Sequence, residues 1–356
     1  MKEILAALCL LSVLVGALGV QKSVPKSVPR SSTAVPICPD AQSILPCRCQ
    51  LDLAQRLILE CVGVQSSDQL AQVFQVDFPE KKFYNLFLDE SPDVRVLGDI
   101  FNDVSFEIIE LYNSGIEFIS EYAFIGSLNS LRRLHITSSL LHENTFPFLT
   151  INSYPNLTVL DLFTNEISGI PALYSASVEA LSIRDTKVTS IKAGTFQGLT
   201  QVTSINLEKS FISSLEKRAF WNLPRLQSLS LSENRLTILE AETFQLIDDH
   251  MTIYLWNNDI STIQPGAFML PSTNASFSLF LDLGANQLTQ LDEAVFAELF
   301  PYFDFLFIAS NPLECGCEIA WLIERPEWVA KIGNTAQCAD GVRIVDLDPQ
   351  YYADNC

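Results

Sequence analysis

From position 83 to position 313, the chain repeats one apolar pattern about every 24 residues. The clearest copy, residues 226–244, reads Leu-x-x-Leu-x-Leu-x-x-Asn-x-Leu-x-x-Leu with Phe244 at its end. Ten copies can be aligned, and they begin at Phe83, Phe106, Leu131, Leu157, Val178, Val202, Leu226, His250, Ser278 and Phe303. A period of this length is typical of stacked repeats, each of which contacts only its neighbours. We therefore expect one elongated domain, although 356 residues would ordinarily suggest two or three.

The fourth and sixth positions are apolar in all ten copies. Such alternation predicts a short strand with one buried face, and a single strand cannot bury that face alone. Stacking would pair each strand with the next in a parallel sheet. Recurrent phenylalanines would then fill the far side of the coil: Phe101, Phe124, Phe196, Phe220, Phe244, Phe268 and Phe296.

This pattern resembles the leucine-rich repeat, and the resemblance covers residues 83–313. It implies an α/β solenoid of about ten repeats, an arc with a parallel sheet on its concave face. The ninth position, usually Asn, departs from the pattern in half of the copies. Asn is kept at Asn165, Asn234, Asn258, Asn286 and Asn311, whereas Ser91, Ser114, Ser139, Thr186 and Ser210 replace it. Because a hydroxyl satisfies fewer backbone groups than an amide, we expect looser packing in the N-terminal half.

The first 19 residues have the features of a secretory signal peptide, an apolar run that ends in small residues. An uncleaved anchor is the alternative. Residues 20–37 form a basic Pro- and Ser-rich leader that we expect to be disordered, with removal after Arg30 as another possibility. No later segment is apolar enough for a membrane anchor, so we predict a soluble, secreted product.

Eight cysteines remain after Cys9 is assigned to the signal peptide, and they lie outside the repeats. One group of four falls in 38–82 and the other in 314–356, where disulfide-bonded caps would cover the open ends of the stack. Each group allows three connectivities, and a metal site at Cys315-x-Cys317 is the competing interpretation. The segments resemble the caps of extracellular leucine-rich repeat proteins. That resemblance implies the pairs Cys38–Cys49, Cys47–Cys61, Cys315–Cys338 and Cys317–Cys356.

The charge balance is acidic, with 42 Asp and Glu against 22 Lys and Arg. That balance argues against nucleic acids or anionic membranes as partners. Asn156 and Asn274 begin Asn-x-Ser/Thr sequences and are expected glycosylation sites, although either match can arise by chance.

No enzyme, cofactor or metal motif is found in the sequence, which contains three histidines. His250 occupies an inward strand position and is expected to be buried. His135, Asp161 and Ser182 share the fifth position of consecutive repeats, but a serine triad needs the histidine in the middle. We therefore predict no catalytic site.

Two groups of residues on the exposed sheet face are candidates for partner binding. The first is aromatic and lies near the C-terminal end: Tyr254, Trp256, Phe280, Phe305 and Phe307. The second, Arg133, His135 and Arg184, lies beside acidic residues in the middle of the array. We expect the aromatic group to hold a protein partner and the charged group to orient it. Coverage of the aromatic group by the C-terminal cap or a glycan is the alternative.

The opening Cys38-Pro39, the stretch 67–74 and the closing segment 346–356 resemble one arthropod group. This group is the family of the non-catalytic subunit of Oplophorus-luciferin 2-monooxygenase. The resemblance implies an accessory protein that stabilises a small secreted catalytic subunit, which oxidises coelenterazine. The alternative is an extracellular recognition module for immune, developmental or matrix ligands, with no enzyme partner.

Overall fold

A computed structural model describes residues 36–270 and 277–356. The predicted signal peptide, nearly all of the 20–37 leader and the glycosylation site at Asn274 lie outside the described residues. Throughout the described ranges, none of the helices has both the length and the apolar character needed to cross a bilayer.

One sheet of twelve strands runs through the repeats and into the N-terminal cap, with the strands in chain order. The first two strands are antiparallel and every later pair is parallel. The strands are β1 Cys47–Leu51, β2 Leu57–Val62, β3 Lys82–Asp89, β4 Ser105–Leu111, β5 Arg133–Thr137, β6 Val159–Phe163, β7 Ala180–Arg184, β8 Ser204–Asn206, β9 Ser228–Ser230, β10 His250–Tyr254, β11 Ser278–Asp282 and β12 Phe303–Phe307. The solenoid of about ten repeats, with its parallel sheet, is thereby confirmed.

Burial follows the repeat pattern, because the fourth- and sixth-position side chains of β3–β12 all point into the core. His250 is an exception to the prediction, since it is exposed and its Nδ1 lies 2.7 Å from the Ser278 Oγ. The prediction of a buried His250 was wrong. Strict alternation in β10 places Met251, Ile253 and Leu255 inward, so the residue before Met251 must face outward.

The far side of the coil is built from short segments and stacked phenylalanines. The rings of Phe196, Phe220, Phe244 and Phe268 stack in sequence with centroids 5.2–5.6 Å apart. Two-residue strands run beside this stack: Val96–Leu97, Phe118–Ile119, Tyr174–Ser175, Ser190–Ile191, Gly198–Leu199, Ser214–Leu215, Ile238–Leu239, Phe244–Gln245, Thr262–Ile263 and Phe268–Met269. The described ranges also contain five short α-helices: α1 Ser67–Val73, α2 Glu293–Phe296, α3 Ala320–Ile323, α4 Pro326–Val329 and α5 Pro349–Asn355. Their 3-10 helices are Ile125–Ser127, Phe148–Ser153, Phe300–Tyr302, Cys317–Ile319 and Ile344–Asp346.

Disulfide bonds hold a cap at each end of the solenoid. The N-terminal cap contains the bonds Cys38–Cys49 and Cys47–Cys61, and the C-terminal cap contains Cys315–Cys338 and Cys317–Cys356. These are the pairs that the resemblance implies, and they leave no described cysteine available for a metal site. The Trp321 Nε1 donates to the Leu291 carbonyl at 3.2 Å, which joins the C-terminal cap to the last repeats.

The ninth-position side chains differ in what they bond. The Nδ2 of Asn234 donates to the carbonyls of Leu207, Leu231 and Ser232, and its Oδ1 accepts from the Ile212 N–H at 3.0 Å. The hydroxyls make fewer bonds each. The Ser91 Oγ accepts from the Val64 N–H at 3.0 Å and donates to the Asp89 carbonyl at 2.8 Å, whereas the other four hydroxyls bond one another across repeats. Ser114 and Ser139 lie 2.9 Å apart, and the hydroxyls of Thr186 and Ser210 lie 3.0 Å apart.

We expect amide hydrogen exchange to report this difference. The amides of Ile212, Leu236 and Ile260 donate to Asn side chains. The corresponding amide of Val188 donates to no side chain within the described ranges, because the Ser210 Oγ instead accepts from the Thr186 N–H and bonds the Thr186 hydroxyl. One hydrogen bond contributes about 1 kcal/mol, so the Val188 amide should exchange about fivefold faster or more. Equal protection measured by NMR in both halves would contradict this expectation.

Candidate partner-binding face

The third-, fifth- and seventh-position side chains of β3–β12 point away from the core and form the concave face. Register across the strands aligns them in rows, since the fourth-position residues pair with one another from β3 to β12. In β8–β12 these rows carry two acidic residues, Glu208 and Asp282, and no Lys or Arg. The whole chain has a formal net charge of −20. Like the whole chain, this C-terminal part of the concave face therefore has an excess of acidic over basic residues.

Four of the five predicted aromatic residues are joined there by ring contacts, and Trp256 lies two residues after Tyr254 on the same face. We call all five the aromatic cluster: Tyr254, Trp256, Phe280, Phe305 and Phe307. The Phe280 and Phe305 rings stack with centroids 5.9 Å apart, and the Tyr254 ring lies 5.8 Å from Phe280. The rings of Phe305 and Phe307 are 6.4 Å apart. Contacts between successive strands thus connect rings of three repeats into one surface.

The C-terminal cap covers one edge of the aromatic cluster and leaves the rest open. A Cβ added at Gly333 of the cap would lie 2.7 Å from the Phe305 ring, so the cap backbone packs directly against that ring. Tyr254 is 37% exposed and Trp256 is 40% exposed. The alternative in which the cap hides the whole group therefore applies to Phe305 and not to Tyr254 or Trp256.

A glycine makes room for Phe307 within the aromatic cluster. A Cβ added at Gly284 would lie 2.5 Å from the Phe307 ring, so this ring lies over the seventh position of β11. Trp256 occupies the seventh position of the preceding repeat. A side chain at Gly284 would therefore displace Phe307.

Sequence reasoning missed the carboxylate inside the aromatic cluster. Asp282 in β11 pairs in register with Tyr254 of β10 and with Phe307 of β12. Burial raises the pKa of Asp282, and the hydrogen bond from the Gly284 N–H to its Oδ1 offsets this only in part. The sequence did offer a signal, because Asp282 occupies the fifth position of its repeat and the fifth positions of the two neighbouring repeats are the aromatic residues Tyr254 and Phe307.

Two of the three residues in the charged group, Arg133, His135 and Arg184, contact other side chains of the chain. The His135 Nδ1 lies 2.9 Å from the Asp161 Oδ2, and the Arg184 guanidinium lies 4.2 Å from the centre of the Phe163 ring. Arg133 is exposed on β5. Two of the three predicted residues are thus already engaged within the chain, which favours an orienting role at an interface over a tight contact.

A second aromatic group, which sequence reasoning also missed, lies at the N-terminal end of the concave face. The rings of Phe87 and Tyr112 are 5.2 Å apart, and the Tyr112 ring lies 4.9 Å from His135. Phe87 occupies the fifth position of the first repeat, and Tyr112 occupies the seventh position of the second repeat. The concave face therefore has aromatic residues near both ends and small polar residues, such as Ser182, Asn206 and Ser230, between them.

The order His135, Asp161, Ser182 across three strands agrees with the prediction. Asp161 pairs in register with His135 on one side and with Ser182 on the other. Asp161 thus lies between His135 and Ser182, which are two strands apart. The histidine is therefore not placed to take a proton from this serine.

Asp161 makes stability depend on pH. Burial acts to raise its pKa, but the hydrogen bond and charge of His135 outweigh burial, and the pKa lies below its usual value. A lowered pKa stabilises the fold above the unfolded-state pKa of about 3.9, and this contribution is lost as pH falls through the folded-state pKa. We expect Asp161→Asn to reduce the loss of stability below pH of about 4, measured by urea unfolding at several pH values. The exposed Asp259→Asn serves as control, and an unchanged slope for Asp161→Asn would contradict the assignment.

The first predicted glycosylation site is exposed. The Asn156 Nδ2 donates to the Asn129 carbonyl at 2.7 Å, and the neighbouring Leu157 is buried. A glycan on Asn156 would substitute one of the two Nδ2 hydrogens and leave one N–H as a donor. Glycosylation at Asn156 stays a prediction.

Comparisons with known proteins agree with this architecture. A family model described as Leucine rich repeat matches residues 176–236. The chain is 30% identical over 344 residues to the Oplophorus-luciferin 2-monooxygenase non-catalytic subunit of Oplophorus gracilirostris, covering 93% of this chain and 90% of that subunit. A similarity of 31% over 108 residues to the leucine-rich repeat-containing G-protein coupled receptor 5 of Rattus norvegicus covers 30% of this chain and 12% of the receptor.

Two solved structures share the fold. One is a chain from the octameric complex of Latrophilin 3, Unc5D and FLRT2, with a TM-score of 0.64 and 19% identity, covering 84% of this chain and 97% of that one. The other is the APL1 leucine-rich repeat domain, with a TM-score of 0.53 and 19% identity, covering 72% of this chain and 64% of that one. At this identity the likeness concerns the fold alone.

Proposed function

The chain belongs to the leucine-rich repeat family that includes the non-catalytic subunit of Oplophorus-luciferin 2-monooxygenase, and from this membership we propose that it is a secreted accessory subunit. In this proposal the concave face binds a small secreted catalytic protein and stabilises it. The chain itself supplies no catalytic residue.

The aromatic cluster is the observation that supports this proposal most strongly. Exposed Tyr and Trp side chains that lie together are uncommon on a free surface and are enriched in the energetically dominant part of protein interfaces. Tyr254 and Trp256 are each more than one-third exposed. A partner that buries both rings would remove apolar surface from water.

The charged group would act at the edge of the same interface. His135 and Arg184 are held by Asp161 and Phe163, so their positions are set before a partner arrives. A preorganised side chain loses less conformational entropy on binding. These residues would select the orientation of the partner by charge, whereas the aromatic cluster would supply most of the affinity.

Secretion is the part of the proposal that rests on the caps and the N-terminal sequence. Four disulfides in a chain of this size are typical of an oxidising compartment. The first 19 residues have signal-peptide character.

Replacing two members of the aromatic cluster tests the proposal. We expect Trp256→Ala combined with Phe307→Ala to weaken binding of the partner at least about tenfold, because each truncation of such an anchor typically costs more than 1 kcal/mol. Wild-type and variant chains would be used to capture proteins from the native secretion. Mass spectrometry would identify the captured protein, and a coelenterazine light assay would measure its activity and its half-life with and without the chain.

Phe118→Ala combined with Ile238→Ala is the matched control, because both side chains are exposed on short strands outside the main sheet. Capture of a small coelenterazine-oxidising protein by the wild type and the control, but not by the concave variant, supports the proposal. A receptor or foreign molecule captured in its place would indicate a recognition module. Light from the purified chain alone would show that it is an enzyme and would overturn the proposal.

A further inference from the structure

Asp282 differs from the other acidic residues on the concave face in what it bonds. Glu110 accepts a hydrogen bond from the Asn85 side chain, Asp161 contacts His135, and Glu208 accepts from the Ser230 hydroxyl. Among the described residues, Asp282 accepts only from a backbone amide, that of Gly284 at 2.9 Å. Across the described ranges, no Lys, Arg or His forms an ion pair with it.

Aromatic rings surround this carboxylate. Tyr254 and Phe307 are its register neighbours on the two adjacent strands, and Phe280 precedes it by two residues on the same face of β11. The Phe305 ring stacks on Phe280. The ring faces carry partial negative charge, so they attract a cation to the place where the carboxylate also attracts it.

The chain has arginines that cover aromatic rings elsewhere, but none covers a ring of the aromatic cluster. In the part of the chain that the structure describes, five arginines lie over a ring, and the rings are those of Tyr84, Phe163, Phe211, Trp221 and Trp328. The Lys331 carbonyl accepts a hydrogen bond from the Leu306 N–H of β12. Its Nζ donates to the carbonyls of Phe300 and Pro301 and does not reach the aromatic cluster. The described ranges therefore place no cation at the aromatic cluster, which leaves the cluster open to a cation from another molecule.

We propose that Asp282 and the aromatic cluster form a receptor for one cationic side chain, an arginine or lysine of the partner protein. This inference rests on the proposed function, because it names the chemistry of the partner at the same site. A half-buried carboxylate without a cation is unfavourable in the free chain, and an incoming guanidinium or ammonium group would neutralise it. The open rings of Tyr254 and Trp256 would contact the aliphatic part of that side chain.

Two peptides that differ in charge test the proposal without the partner. We expect acetyl-Gly-Arg-Gly-amide to bind at least about tenfold more tightly than the same peptide with citrulline, which has the shape of arginine and no charge. Tryptophan fluorescence and NMR would measure binding. Asp282→Asn should abolish the preference, because the amide keeps the acceptor for Gly284 and removes the charge. Asp304→Asn, at an exposed position of the neighbouring β12, should retain it.

The titration of Asp282 supplies a second readout. A cation at the aromatic cluster would lower the raised pKa of Asp282, whereas an apolar side chain would exclude water and raise it further. Carboxyl ¹³C signals would report this pKa with and without the arginine peptide, and the Asp282→Asn spectrum would identify the signal. Equal affinity for the citrulline peptide, or a pKa that rises on binding, would overturn the cation inference.

These outcomes are separable from those of the proposed function. If Trp256→Ala combined with Phe307→Ala abolishes capture of the partner while Asp282→Asn leaves it unchanged, the partner-binding face stands and the cation inference is wrong. If capture is unaffected by the aromatic replacements, the proposed function fails whatever the peptides do.

Discussion

Phe220→Ala is expected to lower the free energy of unfolding by about 3–5 kcal/mol. The Phe220 side chain is 1% exposed, and its ring stacks between those of Phe196 and Phe244 at 5.6 Å on each side. Truncation would remove both ring contacts and leave a cavity that neighbouring repeats cannot fill, because their own rings are fixed by the next members of the stack. An effect of this size is a large fraction of the stability of an ordinary domain.

Urea unfolding with the disulfides intact would measure this effect. Phe211→Ala is the matched control, because Phe211 is 41% exposed and lies under the Arg235 guanidinium at 4.4 Å. Its replacement should cost about 1 kcal/mol or less. If the two variants lose similar stability, the stacked phenylalanines are not the main support of the far side of the coil.

Asn234→Ala is expected to cost about 2–4 kcal/mol, the second-largest effect. The side chain is buried and bonds one backbone N–H and three backbone carbonyls. Each buried backbone group left without a partner costs about 1–3 kcal/mol, although water admitted by the smaller alanine would recover part of this. The Ile212 amide, which has the Asn234 Oδ1 as acceptor, would lose its protection from hydrogen exchange.

Ser139→Ala is the comparison for Asn234→Ala at the same repeat position. The Ser139 hydroxyl bonds the Ser114 hydroxyl at 2.9 Å, so its removal disrupts one side-chain pair and costs about 1 kcal/mol. Asn234→Ser should fall between the two. A loss for Ser139→Ala as large as that for Asn234→Ala would contradict the idea that hydroxyls contribute less at this position.

The repeat units could be predicted from sequence because their signal is local. Each strand shows its buried face in a few consecutive residues, so positions such as Leu229 and Leu231 are recognisable without knowledge of the neighbours. The prediction of inward residues failed at His250. The spacing from the preceding repeat placed His250 at the first position of its repeat, which is usually buried. The observed strand alternates strictly up to Met251 and leaves His250 outside.

The candidate site was predictable only in part. The aromatic residues Tyr254, Trp256 and Phe307 could be assigned to one face because that face follows from strand alternation. The contacts of Phe307 with Gly284 and of Phe305 with Gly333 could not, because these depend on how the next strand and the cap pack against the rings. The importance of Asp282 was missed for the same reason, since its lack of a cationic partner is a property of its neighbours.

The sequence alone therefore determined the solenoid, the number of repeats, the inward residues of the fourth and sixth positions and the two capped ends, because these depend on periodicity and on the cost of exposing apolar surface. The tertiary structure decided which outward residues meet across strands and which remain open to solvent. The packing of neighbouring strands and of the cap sets those contacts, and neither is encoded in a local pattern. Asp282 and the aromatic cluster become one surface only when β10, β11 and β12 lie side by side.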